Sequence, residues 1–102
     1  MNNYEKEFPH FAGVEMPTFE GFEDTSWHND VCPSFEKYLA QELSLRVWVD
    51  HPDVNQREEG NSLSHRYALD LVHGCECIKT IIITDDLEQI RLEIKKFEEV
   101  KQ

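Results

Sequence analysis

At 102 residues and a formal net charge of −11, the chain reads as one acidic domain with a single core. Its hydrophobic fraction of 39% and aromatic fraction of 11% argue against wholesale disorder, and its longest aliphatic run, Ile81-Ile82-Ile83, is far short of a membrane span. The negative field repels nucleic acid and anionic lipid and favours basic surfaces, although plain solubility needs charge as well.

Residues 1–30 hold seven acids against Lys6, so more than half of the net charge lies in this segment. The opening residues lack a basic stretch followed by an apolar one, so no secretion signal is read there. Three cysteines, an odd number, do not suggest a disulfide framework, and the expected compartment is the cytoplasm with reduced thiols. Tyr4, Phe8, Phe11, Phe19, Phe22 and Trp27 are interrupted by Pro9, Gly13, Pro17 and Gly21, a spacing that breaks long elements. Residues 1–30 are therefore expected to form an extended arm with loose first residues, aromatic anchors and carboxylates facing water. Residues 31–102 are expected to form the single α+β domain.

Residues 34–42 fit either a short helix capped by Ser34 or a strand in which Phe35, Lys37 and Leu39 alternate. The short distance to the next strand favours a hairpin. Residues 43–50 alternate strictly, with Leu43, Leu45, Val47 and Val49 on one side and Ser44, Arg46, Trp48 and Asp50 on the other. Pro52 ends this strand, and residues 54–64 read as a polar loop with one helical turn at 53–58. Residues 66–72 alternate again, and His73-Gly74 turns the chain. Residues 76–84 are β-branched and apolar on both faces near their end, which predicts a central strand.

Leu87, Ile90, Ile94, Phe97 and Val100 recur at spacings of three and four, predicting an amphipathic helix. Asp85 with Glu88 has the spacing of a capping box, and Glu93 with Lys96 and Lys95 with Glu98 or Glu99 are expected surface pairs. The fold expected is α+β: a three- or four-stranded, mostly antiparallel sheet with this helix across one face. Trp48 then lies on the other face, where the aromatic arm is the expected cover.

Chemistry-bearing patterns are sparse. His28, Asp30, Cys32 and Ser34 offer a base, an orienter and a nucleophile, but no nucleophile-elbow glycines surround them, and a polar turn explains them better. His73, Cys75 and Cys77 invite a metal reading, yet thiols two residues apart on a strand have Cα atoms about 7 Å apart and His73 lies another such step away, so one ion reaches all three only if Gly74 bends the chain sharply. Buried reduced thiols are the plainer reading. His10, His51 and His65 read as isolated and exposed. No phosphate-binding, dinucleotide, zincin or calcium motif is present, and the bases do not cluster. No cofactor or metal is expected.

The stretch from Ser26 to Phe35 (Ser-Trp-His-Asn-Asp-Val-Cys-Pro-Ser-Phe), with Arg46-Val-Trp-Val-Asp-His-Pro52, Arg57-Glu58, Arg66-Tyr67 and Thr84-Asp-Asp86, resembles a family of small uncharacterised bacterial and mobile-element proteins. That resemblance covers residues 26–97 and implies no assigned activity or catalytic residue. In size and acidity the chain is also similar to phage-encoded anti-CRISPR inhibitors, several of which imitate nucleic acid. This likeness is of character rather than motif and carries over no residue.

The expected function is that of a non-enzymatic binding protein that inhibits by occupying a basic, nucleic-acid-handling surface, such as that of a CRISPR effector complex. Glu15, Glu20, Glu23, Asp24 and Asp30, with Glu58 and Glu59 from the long loop, are the expected partner-binding residues. Alternatives are a metal- or thiol-dependent enzyme using His28, Asp30 and Cys32, and an accessory subunit whose partner completes its sheet. A long uncovered strand edge would favour the last.

Overall fold

A computed structural model describes residues 3–11, 13–28, 30, 32–53, 65–74 and 76–100. The elements are helix α1 (Asn3–Glu7), a 3-10 turn at Pro9–Phe11, strands β1 (Glu23–Asp24), β2 (Ser34–Ala40), β3 (Leu43–Val49), β4 (Tyr67–His73) and β5 (Glu76–Thr84), and helix α2 (Leu87–Val100). The strands form one antiparallel sheet in sequence order. The architecture is the expected α+β, with five strands rather than three or four. The additional strand is the two-residue β1, too short to carry an alternation signal.

The alternating pattern of β3 decides which face of the sheet is buried. Leu45, Val47 and Val49 are fully buried, and their register partners Leu71, Leu69 and Tyr67 continue the apolar face into β4. Ile90 and Ile94 of α2 close over them. Each such side chain removed from water contributes about 1.5–3 kcal/mol, enough to hold an amphipathic helix on the sheet. Asp86 caps α2: its Oδ1 accepts from the Glu88 amide at 3.0 Å, and its own amide donates to Thr84 Oγ1 at 3.0 Å. Asp85, expected in that role, instead accepts from the Arg66 amide at 2.8 Å, tying the start of β4 to the end of β5.

The arm is more structured than its punctuation suggests, since α1 and the 3-10 turn occupy its first residues. Tyr4, Phe8 and Phe11 are buried together against Val14, Met16 and Phe35, while Phe19 joins the main core with Phe22 against it. Trp27 departs from the anchor role, being 50% exposed.

The arm covers a different face from the one expected. Phe35 pairs with Val47, so the arm's rings extend the layer made by α2 rather than shielding Trp48. Trp48 faces outward and is held by its neighbours: Nε1 donates to Asp70 Oδ2 at 2.9 Å, and the Arg46 guanidinium lies 5.6 Å from the ring centroid. Among the described residues, polar and cationic neighbours rather than the arm's rings hold Trp48.

β5 is an edge strand, not a central one. The register against β4 slips twice along it, once between Leu69 and Asp70 and once between Leu71 and Val72. The first slip places an extra residue at Ile81, so Ile81 and Ile82 both pack against the core while Ile83 is 57% exposed. A bulge thus produces the two-faced apolar pattern that a doubly buried strand also shows.

Candidate interaction surfaces

The arm is clamped to the body through its backbone. Arg66 Nη2 donates to the Glu15 carbonyl at 3.2 Å, and Arg91 Nη2 of α2 donates to the Thr18 carbonyl at 3.2 Å. Past that clamp the chain turns at Gly21, whose φ of +82° favours glycine and which Lys37 of β2 approaches so closely that a Cβ would meet its side chain at 3.3 Å. The chain then pairs with β2 through β1, where Glu23 lies opposite Glu36 and Asp24 opposite Phe35.

This route separates the arm's carboxylates by role. Glu15, Glu20 and Glu23 are exposed and follow one another along the segment from Arg66 to the edge of β2. No ion pair among the described residues uses any of them, because the nearby arginines bond carbonyl oxygens instead. Asp24 is structural: Oδ2 accepts from the Tyr4 amide at 2.9 Å and Oδ1 from the Ser26 amide at 3.0 Å, pinning α1 to β1. Asp30 is half-buried in the turn before β2, where its amide donates to the Trp27 carbonyl. Glu58 and Glu59 lie outside the described residues, as do the loop 54–64, most of its expected helical turn, and Cys75.

His28, Asp30 and Cys32 do not make a reactive thiol. Cys32 is buried, and burial, followed by the negative charges of Asp50 and Asp30, pushes its thiol far above the ordinary range, which keeps it protonated and a poor nucleophile. His28 turns toward Glu7, with Nδ1 at 2.9 Å from Oε1. The bonds from His28, the ring's first, hold the Glu7 carboxyl below its usual value. Cys77 departs from the buried-thiol expectation and is exposed. No group of three His, Cys, Asp or Glu among the described residues is placed to hold a metal ion. The histidines read as isolated have neighbours: His10 stacks on His51 with ring centroids 6.0 Å apart, and His65 meets Asp85 at 3.3 Å.

On the outward face, Glu23, Glu36, Arg46, Asp70 and Thr80 form one row across the five strands. Glu36 Oε2 accepts from Ser44 Oγ at 2.7 Å and from Arg46 Nη2 at 3.1 Å. Arg46 is thereby committed to Glu36, leaving the charge of Glu23 beside it uncompensated.

The two sheet edges differ. β5 presents a long edge, but its two register slips and Lys79 blunt it against strand pairing. β1 covers β2 only at Phe35 and Glu36, and residues 37–40 have no strand partner on that side among the described residues. A cleft of about 960 Å³ opens there, between residues 18–22, the β2 edge and α2. Phe19, Phe22, Leu39 and Ile94 give it an apolar lining, and Lys37, Arg91, Glu20 and Glu98 its charges. Sequence reasoning missed this cleft because it depends on where β1 stops and the chain turns away at Gly21. The positive-φ turn was the available signal.

The fold and its surfaces define an acidic α+β domain with a five-stranded meander. Compared with known proteins, the chain matches no family model, no curated protein and no solved structure. No helix among the described residues is long and apolar enough to cross a membrane.

Proposed function

We propose that this protein is a non-enzymatic binding protein that occupies a basic, nucleic-acid-handling surface on a protein partner, and so inhibits it. The observation that carries the reading is the charge state of the arm. Glu15, Glu20 and Glu23 are exposed along one ordered segment, and the body's arginines hold that segment by its carbonyls without neutralising its carboxylates. A segment already held by its backbone loses less conformational freedom on binding, so more of its electrostatic energy remains as affinity. The burial of Cys32 and its protonated thiol weigh against the thiol-enzyme alternative.

The test is capture of partners from a host lysate at low and high salt, followed by competition with nucleic acid. Basic nucleic-acid-handling proteins should be recovered at low salt and lost at high salt, and nucleic acid should displace the chain from them. Recovery that ignores ionic strength, or partners without a basic surface, would refute the reading.

A further inference from the structure

We infer that the cleft beside β2 is a strand-addition groove that takes an extended segment of a basic protein partner, one whose side chains alternate between apolar and cationic. The inference rests on the acidic-binding reading above and assigns it a docking site.

The lining residues show that the cleft follows the edge of the sheet. Lys37 and Leu39 point toward the α2 side, whereas Tyr38, between them, belongs to the opposite face and is 62% exposed; all three line the same cavity. Neighbours on opposite faces of a strand can border one space only from the edge. At that edge β1 has already ended, so the stretch Lys37–Leu39 borders the cleft rather than a strand, and the backbone groups that alternate toward that edge are open to an added strand. An added strand would continue the ladder that β1 begins, over about 14 Å at 3.4 Å per residue.

The walls choose the occupant. Phe19 and Ile94 are buried at the cleft's base and offer an apolar floor to alternate side chains of an extended peptide. The two cations present are already engaged: Lys37 pairs with Glu98, and Arg91 binds Glu88 and the Thr18 carbonyl. Among the described residues Glu20 makes no ion pair, and it lines the cleft of a chain of net charge −11. The residual field therefore favours a basic segment over an acidic one or a second copy of this chain. The edge of β5, the other place for a strand, carries bulges and Lys79, whereas that of β2 opens into a lined groove.

The experiment uses the whole chain and three short capped peptides: one alternating valine and lysine, one alternating valine and glutamate, and a valine–lysine peptide methylated at alternate backbone nitrogens. Amide chemical shifts are followed during titration. The valine–lysine peptide should shift residues 18–22 and 37–40, and either control should bind about tenfold more weakly, corresponding to about 1.4 kcal/mol. Glu20→Lys should weaken the valine–lysine peptide and strengthen the valine–glutamate one. Equal binding of the methylated peptide, shifts confined to β5 or residues 3–16, or saturation only by the acidic peptide would each overturn the inference. The double variant Glu15→Gln/Glu23→Gln alters the arm outside the groove and separates the two readings. If it abolishes salt-sensitive partner capture while no peptide enters the groove, the acidic-binding reading stands and the groove assignment fails.

Discussion

Lys37 of β2 and Glu98 of α2 form an ion pair that joins the sheet to the last turns of the helix across one side of the β2 cleft. The sequence pattern pairs Glu98 with Lys95 along the helix surface, whereas the fold brings it to a cation 61 residues away. Both side chains are about a third exposed, at 29% and 39%, so solvent screens the pair. A double-mutant cycle with Lys37→Met and Glu98→Gln in urea denaturation should give a coupling of about 0.2–1 kcal/mol that declines with salt. A coupling above that range would show that the pair is more desolvated than its exposure indicates.

Phe11 provides the strongest test of the arm as part of the fold. Its side chain is 1% exposed, packed with Tyr4 and Phe8. Phe11→Ala should cost about 3–5 kcal/mol, a large share of a typical domain's stability, and should open residues 3–16 to protease before the sheet unfolds. Trp27→Ala, at a half-exposed ring, should cost about 0.5 kcal/mol or less by the same denaturation measurement.

The helix cap distinguishes two adjacent aspartates by role. Asp86→Ala removes the acceptor for the Glu88 amide and should destabilise the domain by about 1 kcal/mol. Asp85→Ala leaves that cap in place and releases the Arg66 amide, so its loss should register as faster hydrogen exchange at Arg66, with α2 unaffected.

The regular elements of the fold were legible in the sequence to different degrees. β3 and α2 were readable because each has one buried face and a strict period, which sequence displays directly. β5 misled because a bulge and a doubly buried strand give the same apolar run, and only the pairing with β4 separates them. The exposed acids Glu15, Glu20 and Glu23 were readable as charge, but the roles of Asp24 and Asp85 were not. A carboxylate that caps a distant amide looks the same in sequence as one that faces water. The cleft was hidden for a related reason: Gly21 signalled a turn, but among the described residues the cleft is made by where pairing stops beyond a two-residue strand.

The thiols should separate cleanly by reactivity. Cys32 should resist iodoacetamide in the folded protein, while Cys77 is labelled, as read by peptide mass spectrometry. Burial raises the Cys32 thiol's folded pKa, so the stabilisation from keeping it protonated is full below the unfolded thiol's value of 9.0 and is lost as pH rises beyond it. Cys32→Ala should therefore remove part of the alkaline loss of stability. Rapid labelling of Cys32 before global unfolding would show the turn at residues 27–34 to be open.

Glu7 supplies a dependence in the opposite direction. Its carboxyl is held below the ordinary 4.5 by the bonds from His28, so the benefit is present above that value and is lost as pH falls through the depressed folded value. As pH falls below 4.5, wild-type urea midpoints should fall more steeply than those of Glu7→Gln. Parallel profiles would mean that the His28 contact does not persist in solution.

The decisive measurement is the affinity of the chain for a basic protein partner recovered from lysate, determined from about 50 to 500 mM salt for wild type and for Glu15→Gln/Glu20→Gln/Glu23→Gln. Wild-type affinity should fall steeply with salt, and the triple variant should bind weakly throughout with a shallower dependence. Superimposable curves for the two proteins would contradict the assignment of binding to the arm's uncompensated carboxylates.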